Sequence, residues 1–367
     1  MPQNKQPKLV RISEKLQQNM QYVDELMGLE TNFDIIHRVI RLGDTDACMY
    51  LIDGFCKDEL MQKILQYLMD LKAEDFPKDA HEMSKIAIPY VEVDLDDTWE
   101  KILGALLSGV FVLLLDGYEK AVLIDARTYP TRGVEEPDKD KVLLGSKDGF
   151  VETVVFNTAL IRRRIRSTDL HMEMLNAGEN SRTDIVLCYM ESRVDPKLLT
   201  QIRERIRSIQ VDALAMNQES LAECLYQRKW YNPFPKFKYT ERPDTAAAQV
   251  LEGNLVILVD NSPSAMILPT TIFDVVEEAD DYYFPPVTGT YLRLTRFLIA
   301  LLTYFVTPTY LLLMNHRMWI PENLEFIILK EDPNVPLILQ FLLLELAIDG
   351  LRLAAVNTPN MLSTPLS

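Results

Sequence analysis

Glu345, Asp349 and Arg352 are the side chains whose types and spacing could most readily do chemistry. With Gln340 they interrupt an otherwise apolar stretch, "VPLILQFLLLELAIDGLRLAAV", Val335–Val356. Their i, i+4, i+7 spacing gathers them into one narrow stripe of a helix. Such a stripe has two uses. In one, the helix lies on a membrane surface with its charges in water, neutralising one another along the helix. In the other, it stands in a bundle with the stripe turned to a partner or a wet pathway, because charges inside a membrane avoid lipid. On the second reading Glu345 and Asp349 are candidates for an ion path.

Other chemistry-bearing residues point less far. "IRRRIRS", Ile161–Ser167, is the only dense basic stretch. It reads as a solvated helix face, or as a contact with anionic lipid heads or an acidic neighbour. Asp53, Asp116 and Asp260 each end an apolar run, but each precedes Gly or Asn, so turn chemistry accounts for them. The four histidines, His37, His81, His171 and His316, are scattered singly. There is no G-x-x-x-x-G-K-[ST] loop, no G-x-S-x-G elbow and no H-E-x-x-H. The expectation is no enzyme, no cofactor and no bound metal. Cys48, Cys56, Cys188 and Cys224 form no C-x-x-C pair and no zinc spacing, and read as reduced thiols of a cytosolic protein. A formal net charge of -16 argues against nucleic acid as a partner.

The elements around these residues start with the late apolar segment. Phe297–Asn315 carries no charge and, at 1.5 Å per residue, would be about 28 Å long as a helix, against about 30 Å of bilayer hydrocarbon. A transmembrane helix over about 292–315 is expected, kinked near Pro308, whose freed backbone groups Thr307 and Thr309 can help satisfy. Arg293 and Arg296 on its N-terminal side outnumber Arg317 on the other, which places the N-terminal region in the cytosol. The polar N-terminus has no signal peptide. A second helix, amphipathic or intramembrane, is expected over about 335–356.

The long N-terminal part repeats itself. Ala47–Leu71 and Thr183–Ile209 each read as a strand, a polar turn and a helix, and in the second Leu198, Ile202, Ile206 and Ile209 fall on one face. Val110–Ala126 and Asn254–Thr270 each read as a hairpin, turning at Asp116-Gly117 and around Asn261–Ser264. The expected fold class is α/β: two tandem cytosolic subdomains with small mixed sheets, 1–145 and 146–285, before a helical membrane region, 286–367. The boundary should fall in Gly133–Gly149, rich in charge, proline and glycine. The prolines of Trp230–Asp244 should keep that stretch irregular.

Three stretches carry a family resemblance: "FNTALIRRRIRS" (Phe156–Ser167), "NPFPKFKYTERPDTAAAQVLEGNLVILVDNSPSAMILPTTIFD" (Asn232–Asp274) and "DDYYFPPVTGTYLRLTRF" (Asp280–Phe297). They closely resemble the GerA family of bacterial spore germination proteins. "MNQESLAECL", "WIPENLEFI" and "LLLELAIDGLRLAAVNTP" look most like its stage V sporulation AF branch. The resemblance implies a subunit of the spore inner membrane with its N-terminal region on the cytosolic, spore-core side. It implies a homo-oligomer, other germination or stage V sporulation membrane proteins as partners, and a share in a germinant-responsive or amplifying ion-release channel. A membrane-anchored scaffold and a small-molecule sensor between the subdomains are the alternatives. Glu241, Arg242, Pro243 and Asp244 match the family's signature tetrapeptide and are expected to pin the loop between subdomain and membrane, a structural role. Family members continue with further membrane helices, so the chain is expected to stop within that region.

Overall fold

A computed structural model of the chain describes residues 11–129, 148–226, 234–271, 274, 285–328 and 334–357. Packing divides it into two units, Met1–Pro285 and Pro286–Ser367. The first unit holds two lobes of the same design.

Lobe 1 runs α1 (Leu16–Met27), β1 (Ile35–Leu42), β2 (Thr45–Ile52), α2 (Asp58–Met69), α3 (Ala80–Ile86), β3 (Val93–Asp96), α4 (Trp99–Leu107), β4 (Phe111–Leu115) and β5 (Ala121–Ile124). Lobe 2 runs α5 (Val154–Arg164), β6 (Leu170–Ala177), β7 (Thr183–Met190), α6 (Pro196–Arg207), α7 (Gln218–Leu225), β8 (Lys238–Thr240), α8 (Pro243–Glu252), β9 (Leu255–Val259) and β10 (Ala265–Leu268). The sheet orders correspond strand for strand: β1-β2-β4-β5-β3 and β6-β7-β9-β10-β8.

The middle strands explain why "FVLLL" and "LVILV" do not alternate. Helices cover both faces of each sheet, so every position is buried. Phe111, Leu113 and Leu115 pack on the side of α2 and α3, while Val112 and Leu114 pack toward α1 and α4. In lobe 2, Leu255, Ile257 and Val259 meet α6 and α7, and Val256 and Leu258 meet α5 and α8. On α6, Ile202 and Ile206 are buried with Leu199, and Leu198 and Ile209 pack against that cluster from its rim.

Two expectations need correcting. The sheets are antiparallel throughout, not mixed. Hairpins make β1-β2, β4-β5, β6-β7 and β9-β10 antiparallel. The long connection from β2 to β4 carries a strand of its own, so it does not act as the single-helix crossover that makes neighbours parallel. Trp230–Asp244 is not wholly irregular: Lys238–Thr240 forms the edge strand β8, paired to Ala265–Ile267 of β10. Pro243 opens α8 rather than preventing it, because a first-turn proline lacks only an N–H that the helix leaves unpaired anyway. Most of the expected boundary, Gly133–Gly149, lies outside the described residues.

The second unit holds α9 (Pro286–Asn315), 3-10 turns at Arg317–Trp319 and Glu322–Ile327, and α10 (Leu337–Asn357).

Candidate functional site

Turn carboxylates at matching places in the two lobes do more than shape their turns. Neither α1 nor α5 has a cap from its own N-cap side chain. The Leu16 N–H donates instead to Oδ1 of Asp116 at 2.9 Å, and the Val154 N–H to Oδ1 of Asp260 at 3.1 Å. A carboxylate held there pairs an orphan helix donor and complements the helix dipole. The surroundings repeat as well. Asn19 clasps Ser13 through bonds of 2.8 and 2.6 Å, and Asn157 clasps Val151 at the same two distances. Gly117 N–H donates to Glu14 at 2.7 Å, and Asn261 N–H to Glu152 at 2.8 Å. The lobes are thus duplicates at the level of single hydrogen bonds.

Where the lobes meet, the symmetry ends. Arg162 of α5 is fully buried, and its Nε and Nη2 donate to the two oxygens of Asp34 at 2.7 and 2.9 Å. Its Nη1 donates to the carbonyls of Ser167 and Leu170 at 3.3 and 3.2 Å. The guanidinium is therefore satisfied on all three nitrogens, which a buried cation requires. Beside it, Asn32 accepts from Met172 N–H at 2.6 Å and donates to the Met27 carbonyl at 2.6 Å. Phe33 N–H donates to the Met172 carbonyl at 3.2 Å. The Asn32–Phe33 stretch thereby covers the open edge of β6, which would otherwise offer unpaired backbone.

Close approach makes two glycines necessary at this seam. Gly28 ends α1 at φ +57, and a Cβ there would stand 2.7 Å from Cε1 of His171. Gly54, at φ +76, would bring a Cβ within 3.3 Å of Ala159. His171 Nδ1 lies 3.0 Å from Thr31 Oγ1. Ile52, Phe55 and Ala159 pack together with Tyr129, and Arg163 lies over the Tyr129 ring at 4.3 Å. The basic run is therefore only in part a solvated face: Arg163 and Arg166 are exposed, but Arg162 and Arg164 have acidic partners. Arg162 is interior, Arg163 stacks on an aromatic ring, and Arg164 pairs with Asp148.

These contacts join the two lobes. A cavity of about 570 Å³ lies elsewhere, in lobe 2, lined by Arg205, Gln210, Cys224 and Tyr226 among others. Among the described residues no group of three or more His, Cys, Asp or Glu could hold a metal ion.

The signature tetrapeptide lies inside lobe 2, at the entrance to α8. Arg242 is the N-cap residue, is 1% exposed, and donates from Nε and Nη2 to Asp244 at 3.1 and 2.6 Å. The Glu241 carbonyl accepts from Phe150 N–H at 2.8 Å, tying the start of the lobe to its last helix.

Glu345, Asp349 and Arg352 lie on α10, all exposed. The Tyr310 and Phe341 rings meet at 6.0 Å, bringing α9 and α10 together within the second unit. In α9 the segment Val287–Asn315 is 29 residues long, apolar enough to cross a membrane, and not buried within the chain. Pro308 sits inside the helix.

Comparison with known proteins gives a consistent result. Residues 21–367 match the family described as Bacillus/Clostridium GerA spore germination protein. Stage V sporulation protein AF of Bacillus subtilis (strain 168) is 38% identical over 368 residues, covering 100% of this chain and 74% of the relative. The membrane protein YfkQ of the same organism is 30% identical, over 97% of this chain and 69% of its own. The crystal structure of the N-terminal domain of the A subunit of the Bacillus megaterium spore germinant receptor GerK3 superposes with a TM-score of 0.56 at 27% identity, covering 72% of this chain and 98% of that one.

Proposed function

Because this chain belongs to the GerA family of spore germination proteins, we propose that it is a membrane subunit of a spore germination complex. Its two-lobed body would sit on the cytosolic side of the spore inner membrane, with α9 crossing the bilayer. Copies of the chain, together with other germination or stage V sporulation membrane proteins, would build an ion-release conduit to which α10 contributes Glu345 and Asp349. The observation that carries this reading is a single polypeptide in which the family match runs from the two-lobed body through a 29-residue apolar helix that the chain itself leaves uncovered. An apolar surface of that length is stable in lipid and unfavourable in water. The name of a relative, a germinant receptor subunit, and that of another, a sporulation protein, agree with such a role. Nothing in the reading requires catalysis.

The test is ion flux from liposomes that carry the full chain. A leak that Glu345→Lys and Asp349→Lys abolish, at equal insertion, supports the conduit. Well-inserted oligomer that leaks nothing would leave a membrane-anchored scaffold instead.

A further inference from the structure

Just past α9 the chain exposes a second set of apolar side chains. Met318 is 89% exposed, Trp319 58% and Phe326 81%. They lie on the two 3-10 turns, Arg317–Trp319 and Glu322–Ile327. Arg317, Glu322 and Glu325 lie in the same stretch of sequence. An isolated exposed Leu needs no explanation, but a Trp, a Phe and a Met within nine positions of one short segment ask for a partner.

Position along the chain says what that partner is. The uncharged run ends at Asn315, and at 1.5 Å per residue it matches the hydrocarbon thickness on its own. His316 therefore emerges near the level where acyl chains give way to headgroups, and Trp319 follows three residues later. The backbone agrees with that depth. It closes local turns here, such as Trp319 N–H to the His316 carbonyl at 2.9 Å and Leu324 N–H to the Pro321 carbonyl at 2.8 Å. Short 3-10 turns leave carbonyls unpaired, which wet headgroups tolerate and hydrocarbon does not. Indole rings favour that zone, with an apolar body and one N–H donor. The Trp319 ring is set edge-on against His316 at 4.8 Å, next to the helix end. On the N-terminal side of the run, Tyr291 of α9 is 66% exposed, a second aromatic of the kind that favours the interface.

We propose that His316–Ile327 is a membrane-interface anchor, with Met318, Trp319 and Phe326 seated at the boundary between headgroups and acyl chains. The anchor fixes the depth at which α9 ends, and so the height at which the chain turns back toward α10. It rests on the reading of α9 as a membrane span.

The experiment reconstitutes the full chain, and separately Trp319→Phe, into phosphatidylcholine vesicles brominated either near the headgroup end or near the tail end of the acyl chain. Vesicle flotation is measured on the same samples. The expected result is fluorescence quenching that is stronger with shallow than with deep bromine, and loss of that shallow component in Trp319→Phe. Protein that floats with the vesicles but shows the same quenching with and without Trp319 overturns the anchor and leaves the span standing. Stronger quenching by deep bromine also overturns it. Protein that fails to float overturns the span and the anchor with it.

Discussion

Removing the Asp34 carboxylate should cost the two-lobed body far more stability than any exposed ion pair it contains. Arg162 and Asp34 are 0% and 3% exposed, whereas the side chains of Arg11 and Asp97, a pair at 3.5 Å, are 78% and 35% exposed. Exposed pairs contribute about 0–1 kcal/mol. Taking one partner from a buried pair leaves an uncompensated charge and costs about 3–5 kcal/mol. Asp34→Ala strands the guanidinium with only the Ser167 and Leu170 carbonyls as acceptors. At roughly 2–4 °C of Tm per kcal/mol for a chain of this size, the melting point should fall by about 6–20 °C. The assay is urea and thermal unfolding of Met1–Pro285, with Arg11→Ala as the exposed-pair control. A double variant, Asp34→Leu with Arg162→Met, removes both charges and should recover about 2 kcal/mol relative to the sum of the single changes. An Asp34→Ala loss below about 1 kcal/mol, no larger than the control, would refute the buried link between the lobes.

Four more predictions follow from particular atoms. Gly109→Ala should destabilise by about 1–3 kcal/mol, because φ is +95 and a Cβ would stand 2.5 Å from the buried Phe55 ring. Gly104→Ala in α4 meets nothing within 4 Å and should stabilise by about 0.5–1 kcal/mol; chemical denaturation reads both signs. In native thiol labelling at pH 8, the exposed Cys224 should react first. Cys48, which burial pushes up to about 11, and Cys188, which burial also raises, should react only after unfolding. Burial alone would raise Asp96, but hydrogen bonds from Thr98 and Lys101 outweigh it and hold the carboxyl at about 2. Its folded pKa lies below its unfolded one, so its stabilisation is complete above about pH 4 and is lost as pH falls toward about 2. Acid titration followed by circular dichroism should show Asp96→Asn losing less stability than the parent across that window.

What the sequence disclosed, and what it did not, follows the range of the interactions. The pairs β2–α2 and β7–α6 and both hairpins were legible because periodicity and turn residues are local signals. Strands β1 and β6 carry no comparable signal. Residues such as His37 and Arg38, or Glu173 and Asn176, blur the alternation of these outer strands. The sheets were expected to be mixed because strand–helix order suggests parallel crossovers, and it does not tell which neighbour a strand will choose. From its sequence, Arg162 looks like one more solvated arginine. Its partner lies 128 positions away, and nothing within "IRRRIRS" distinguishes it from Arg163 or Arg164. Asp116 and Asp260 were assigned to turns for the same reason: the helices they cap begin 100 and 106 positions earlier. A closer signal was available in the duplication itself. Asn19 and Asn157 are each the fourth residue of their helices, α1 and α5, so aligning the two halves brings both clasps and both caps into register. Glu345 and Asp349 remain candidates by spacing and by the family's character, and the flux measurement decides their role.

Whether α9 resides in lipid is tested by washing proteoliposomes of the full chain at alkaline pH. The full chain should remain in the vesicle pellet while Met1–Pro285 is released to the supernatant. Release of both to the same extent would contradict the claim.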